Sequence, residues 1–357
     1  MSNISSRKAD HIDLCVSGNV GFQQKTTLFE HVELVHDALP ELSLDEIDIR
    51  SSFAGVELKA PLVIAAMTGG VDRAEKINRD LALTAEKYGI GFAFGSQRPW
   101  LSKGIKDGYL VRDVAPNILL LGNIGIVQAA QTSNEELQTM MEECGVNALC
   151  VHLNPAMELV QPEGDQDFRY GIETLVRLQK LQIPIVVKET GCGLSRSLGK
   201  RIQDIGIQWV DISGAGGTSW VAVETHRAQS QKQQLGHTFW DWGIPTAASL
   251  AQLSGLSLGS CATGGMQNGL MIAKAVAMGA QCGGMARAFL QSYANGGIEA
   301  LEQAIEQVIA EIKISMLLCG AKDITSLRQK PLVLSPQILR WVPTKSPLFS
   351  RQLHLLD

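Results

Sequence analysis

The sequence has no C-x-x-C pair, no long apolar run and no strong excess of charge of either sign. Its seven cysteines, Cys15, Cys144, Cys150, Cys192, Cys261, Cys282 and Cys319, are scattered singly. An odd number without paired spacing argues against a disulfide framework and against a thiolate zinc site. No segment approaches the roughly 18 consecutive apolar residues needed to cross a bilayer, and the opening MSNISSRKADHID is polar, with no apolar signal segment. Charged residues make up 19% of the chain and the net charge is −5. That balance makes neither nucleic acid nor an anionic membrane surface an electrostatic partner. An anionic ligand would have to be held by a few local Arg, Lys and backbone N–H groups against the overall field. The expectation is a soluble, cytoplasmic protein of a reducing compartment.

What is present is enough apolar material for a large core: 357 residues, 45% of them hydrophobic. One α/β barrel domain routinely uses about 250 residues or more. From residue 62 onward short apolar runs alternate with helical patterns. The runs are 62–66 (LVIAA), 90–94 (IGFAF), 118–121 (ILLL), 148–151 (ALCV), 185–187 (IVV), 209–212 (WVDI), 261–263 (CAT) and 282–285 (CGGM). The middle ones are apolar throughout, as strands buried on both faces are. The last two are weak strands by composition and are assigned by position.

Between them lie helix signals. Asp72 precedes a stretch with Ile77, Leu81, Ala85 and Tyr88 on one face and Gly89 as a stop, and Ser133 to Glu136 has capping-box spacing, with Gly145 ending that helix. Eight such units in one direction close into a barrel more readily than they extend an open sheet, because closure removes both edges. The expected fold is an α/β (β/α)8 TIM barrel with right-handed crossovers. It forms a single domain, with residues 1–60 as an N-terminal extension over the barrel or its mouth, 61–320 as the barrel and 321–357 as a C-terminal arm. The Gln-rich stretch 225–243 is expected to be a solvated loop or a lid. Residues 298–318 form a long amphipathic helix, and 332–357, with three prolines, an extended arm.

In this fold the working residues sit at the C-terminal ends of the strands. Nearly every run here ends in polar or glycine residues: Met67-Thr68-Gly69-Gly70, Gly95-Ser96-Gln97-Arg98, Gly122-Asn123-Ile124-Gly125, His152-Leu153-Asn154, Lys188-Glu189-Thr190-Gly191, Ser213 to Ser219, Thr263-Gly264-Gly265, and Ala286-Arg287-Ala288. A purely structural scaffold has no need of that pattern at every strand. Gly264-Gly265, in the loop after the seventh strand, lets backbone N–H groups approach an anion, at a place where barrels often bind phosphate. Lys188 ends a buried strand and must meet a negative or electron-rich group, whether a ligand or simply Glu189 or Asp211.

Taken together these motifs resemble the type 2 isopentenyl-diphosphate isomerases over almost the whole chain. The resemblance rests on Arg7-Lys8-x-x-His11, Met67 to Gly70, Gly95 to Arg98, His152-Leu153-Asn154-Pro155, Gln161-Pro162-Glu163-Gly164-Asp165, Val187-Lys188-Glu189 and Gly214 to Trp220. It implies interconversion of isopentenyl and dimethylallyl diphosphate in isoprenoid biosynthesis, with reduced FMN as acid–base catalyst, NADPH as reductant and Mg²⁺. It also implies a homo-oligomer, a tetramer or octamer. Carried over by position, Ala66, Met67, Thr68, Ser96, Asn123, Lys188, Ser213 and Thr218 line the flavin, with Lys188 toward its N1–C2=O edge. Gly264, Gly265, Ala286 and Arg287 fall at the FMN phosphate. Arg7, Lys8, Arg98, His152, Asn154 and Gln161 hold the substrate, and Glu158 binds Mg²⁺. His152 and Lys188 are the residues expected to take part in catalysis alongside FMN.

One position departs from the family pattern. Where the family reads H-L-N-x-x-Q-E, with the Gln proposed to take part in proton transfer, this chain has Met157. A thioether has no proton to give. Either the Gln is dispensable, or a residue such as Gln161 or Glu224 replaces it, or the chain is a flavin-binding homologue with an altered prenyl substrate or no turnover. A second enzyme reading is an FMN-dependent 2-hydroxy-acid oxidase. Such enzymes use a histidine base near the seventh-strand loop, and Thr263 to Gln267 contains none.

Overall fold

The computed structural model describes residues 11, 13–16, 18–67 and 72–352. Eight parallel strands close into one barrel. They are β1 (Leu62–Ile64), β2 (Gly91–Ala93), β3 (Leu120–Gly125), β4 (Ala148–Leu153), β5 (Ile185–Glu189), β6 (Trp209–Asp211), β7 (Gly259–Ala262) and β8 (Cys282–Met285), with β8 pairing back onto β1 through Gly283–Leu62 and Met285–Ile64. All eight fall on the expected runs. The strands are short and almost wholly buried, which is why they show no alternation of polar and apolar residues.

The weak composition of β8 has a packing cause. A side chain at Gly283 would stand 2.8 Å from Ile272 of the covering helix Gly269–Ala277. Glycine in β8 is therefore what lets that helix approach the sheet. Helix starts follow the sequence signals: Ser133 caps Asn134–Cys144 with a full capping box, and Asp72–Tyr88 buries Ile77, Leu81 and Ala85.

The residues before β1 serve both ends of the barrel. The hairpin of Ser51–Phe53 with Val56–Leu58 plugs the end where the strands begin. Phe53 is fully buried there, its ring 5.3 Å from that of Trp209. Residues 18–31 cross the other end, held by backbone bonds from Phe22 to Gly217, Ser219 to Val20 and Ala247 to Thr27.

Two expectations are corrected and one is met. The Gln-rich stretch is no loop: it folds as the helices Trp220–Arg227 and Ser230–Phe239, which pack on each other beside the mouth. The amphipathic helix expected at 298–318 is present: non-helical Gly296 and Gly297 separate it from a shorter helix that begins at Arg287, and it runs to Leu317. The C-terminal stretch to Gln352 is not an extended arm. Leu332–Leu334 pairs antiparallel with Val32–Leu34, and Leu332, Leu334, Ile338 and Leu348 are buried against the same chain. Among the described residues no helix is long and apolar enough to cross a membrane.

Candidate active site

The strand ends enclose a cavity of about 670 Å³ at the C-terminal mouth, in the usual size range for small-molecule sites, ~300–1,000 Å³. Three groups of residues line it.

At one end the wall is backbone. Gly264 has φ +99°, and a side chain there would fall 2.2 Å from the Gly214 carbonyl oxygen; one at Gly217 would fall 2.4 Å from the Gly265 Cα. The loops after β6 and β7 thus touch main chain to main chain, which only glycine permits. Thr246 Oγ1 donates to the Gly264 carbonyl at 2.5 Å and fixes the turn. Ala286 and Arg287 lie beside this cradle, at the start of the long helix. The Arg287 guanidinium donates to the Cys15 and Gly18 carbonyls, each at 2.8 Å, so it also ties the crossing N-terminal segment to the mouth.

The middle of the cavity is lined by Ala66, Met67, Ser96, Asn123, Lys188, Ser213 and Thr218. Lys188 Nζ lies 3.2 Å from Asp211 Oδ2 and donates to the Glu189 carbonyl at 2.8 Å. Burial alone would push its pKa down, but the charge and hydrogen bond of Asp211 outweigh burial and hold it above the ordinary lysine value. Lys188 is therefore an ammonium, fixed in place by a carboxylate that also accepts a hydrogen bond from Thr263. Glu189 faces the other way, into the backbone N–H groups of Thr190 and Cys192. Burial pushes its carboxyl up to about 7.

The far end is built by β4 and the short helix Pro155–Val160 that follows it. Asn123 Nδ2 donates to the Phe94 carbonyl at 2.9 Å, which turns Asn123 Oδ1 toward His152 Nδ1 at 2.8 Å. His152 Nδ1 therefore carries the proton. Met157 and Glu158 within this helix, and Asn154 and Gln161 capping its two ends, all line the cavity. Asn154 Nδ2 donates to Glu158 Oε1 at 2.8 Å, and the Asp165 backbone N–H donates to Glu158 Oε2 at 2.9 Å. Glu158 is only 7% exposed, and no described Lys, Arg or His forms an ion pair with it. Arg98 lines the cavity too, and its guanidinium has no hydrogen-bond or ion-pair partner among the described residues.

The cavity thus gathers every candidate residue that is described. Thr68, Arg7 and Lys8 lie outside the described residues. Gln97, from the same motif as Ser96 and Arg98, points away: its Oε1 accepts the Asn123 N–H and its Nε2 lies against Cys144 Sγ. Sequence reasoning missed Gln128 and Gln291 on the lining. Gln128 donates to Asp165 at 2.7 Å and sits beyond the polar run that ends β3, inside a helix, where spacing carries no signal. His11 also reaches the lining; its Nε2 lies 2.8 Å from the fully buried Glu224, and its ring meets Trp220 edge-on.

Residues 167–334 match a family model described as FMN-dependent dehydrogenase. Among solved structures the fold is similar to a flavocytochrome b2 variant with benzoylformate (TM-score 0.70, 20% identity, 98% of this chain and 88% of the other). It is also similar to a lactate oxidase of Pediococcus acidilactici (TM-score 0.66, 15% identity, 94% and 95%). At those identities the likeness is one of fold. Closer in sequence are isopentenyl-diphosphate delta-isomerases of Pyrococcus horikoshii, 41% identical over 94% of both chains, and of Methanosarcina mazei, 39% identical over 94% of this chain and 93% of that one. Identity of that degree over nearly the full length, on a barrel whose strand-end motifs meet in one cavity, makes the chain a member of the type 2 isopentenyl-diphosphate delta-isomerase family.

Proposed function

We propose that this enzyme interconverts isopentenyl and dimethylallyl diphosphate, with reduced FMN, Mg²⁺ and NADPH as reductant. One carbon of the substrate gains a proton and another loses one, with no net redox change. The observation that carries this reading is a pair of charges in one cavity, uncompensated among the described residues: the Arg98 guanidinium without a partner and the buried Glu158 carboxylate without a cation. A diphosphate that brings a divalent metal satisfies both, because Mg²⁺ takes one or two carboxylates together with phosphate oxygens.

The residues fit the flavin as well. The Gly264 and Gly265 backbone lines the cavity, held against the loop after β6 in main-chain contact that only glycine permits, and Arg287 lines the cavity as well. That is where the cofactor phosphate would be held. Ser96, Asn123, Ser213 and Thr218 would meet the polar edges of the ring, with Ala66, Met67 and Thr68 along it. Reduced FMN supplies an electron-rich ring able to exchange a proton with an unactivated alkene, chemistry that amino-acid side chains provide poorly. Lys188 would set a fixed positive charge beside the ring. His152 and Asn154, with Arg98, Arg7 and Lys8, would grip the diphosphate, so that remote binding energy positions the double bond. Met157 offers no proton on this face, so proton transfer does not depend on a side chain at that position.

The test is purification with flavin followed by anaerobic turnover of isopentenyl diphosphate, with Mg²⁺ present or chelated. Turnover that requires both reduction and metal supports the proposal. Bleaching of the flavin by lactate or mandelate, with no isomerisation, would favour the 2-hydroxy-acid oxidase reading, against which the absence of a histidine between Thr263 and Gln267 already speaks.

A further inference from the structure

Gln161 closes the helix Pro155–Val160, its backbone N–H donating to the Met157 carbonyl at 3.0 Å. Its side chain is 3% exposed and lines the cavity, and the Oε1 atom has no donor within reach among the described residues. A buried amide oxygen left without a partner forfeits the hydration it had in the unfolded chain and gains nothing in return. On a cavity wall that also carries Asn154, Met157 and Glu158, that oxygen is the polar atom still waiting for a partner. Met157 cannot take its part: a soft thioether is a poor ligand for a hard cation, whereas carboxylate and amide oxygens are good ones.

We propose that Gln161 is a second protein oxygen ligand, beside Glu158, for the divalent cation that accompanies the diphosphate. The inference rests on the assignment of Glu158 to that cation. Glu158 and Gln161 are three residues apart and both line the cavity, near enough for a single ion to be shared. Asn154 and the Asp165 N–H each occupy one Glu158 oxygen and keep the carboxylate turned to the cavity. A centre of this kind would be built from one carboxylate and one amide. That explains why no cluster of three or more His, Cys, Asp or Glu exists among the described residues.

The experiment is Mn²⁺ binding to the flavin-loaded enzyme with inorganic diphosphate, followed by electron paramagnetic resonance. Glu158→Gln should weaken Mn²⁺ binding strongly. Gln161→Leu should weaken it by about tenfold or more, and Gln161→Glu, which keeps an oxygen at similar reach, should retain it. Unchanged flavin absorbance in each variant reports an intact barrel. Wild-type affinity in Gln161→Leu, with affinity lost in Glu158→Gln, overturns the role of Gln161 and leaves the metal site standing. Wild-type affinity in both variants, or no binding to the wild-type enzyme, overturns the Glu158 site and this inference with it.

Discussion

Lys188 and Asp211 are partners in the register of β5 and β6, and their charged groups lie 3.2 Å apart inside the barrel mouth. The pair gives the cavity a fixed positive group without leaving either charge unpaired. Removing one member of a buried pair strands the other, at a typical cost of about 3–5 kcal/mol. Lys188→Ala should therefore lower the melting temperature and the flavin content together. Normal flavin content with normal turnover in that variant would remove Lys188 from the site.

Glu189 makes a pH prediction of definite sign. Its carboxyl is raised from 4.5 to about 7 in the folded protein, first by burial, against the N–H groups of Cys192 and Thr190 and the charge of Lys188. The folded state therefore holds this proton more tightly than the unfolded chain. The associated stability is fully present below pH 4.5 and is lost as pH rises through about 7. A tenfold difference in proton affinity between the two states is worth about 1.4 kcal/mol. Denaturant melts of Glu189→Gln and the wild type at pH 5 and pH 8 should show the wild type losing a few kcal/mol relative to the variant on going to pH 8. Parallel pH profiles would contradict the assignment.

Gly264→Ala would place a methyl group 2.2 Å from the Gly214 carbonyl oxygen, at φ +99°. Left-handed strain and the clash act together, and the clash is with backbone that cannot step aside. The expected outcome is a folded barrel with little or no bound flavin. Retention of stoichiometric flavin, read from its absorbance relative to protein, would place the phosphate elsewhere.

Much of the fold was legible in the sequence because β1 to β6 are apolar runs bounded by helix caps, and because eight such units favour closure. The site was legible for the same reason: strand-end residues such as Asn123, His152 and Lys188 follow directly on those runs. The Gln-rich helix Ser230–Phe239 was not, since it is polar along most of its length and is held by the helices Trp220–Arg227 and Pro155–Val160 rather than by an apolar stripe of its own. The C-terminal fold-back was hidden too. Its partner strand, Val32–Leu34, lies some 300 residues earlier, and three-residue strands carry no periodicity.

Arg287 joins the cradle to the N-terminal segment through the Cys15 and Gly18 carbonyls. Arg287→Ala should speed proteolytic cleavage around residues 11–20 and raise the KM for the diphosphate substrate, because the segment that leads to Arg7 and Lys8 loses two of the hydrogen bonds that hold it. Mass spectrometry of the early fragments checks this. An unchanged cleavage pattern would mean that the remaining contacts, among them Gln291 to the Val16 carbonyl at 3.0 Å and His11 to Glu224 at 2.8 Å, hold the segment without Arg287.

The most direct test is proton exchange during turnover. The flavin-loaded enzyme is reduced anaerobically with NADPH and given Mg²⁺ and isopentenyl diphosphate in D₂O, and the products are followed by NMR. The account predicts dimethylallyl diphosphate carrying solvent deuterium, formed even though Met157 stands on the cavity wall. Bound and reducible flavin without any dimethylallyl diphosphate or deuterium uptake would contradict it.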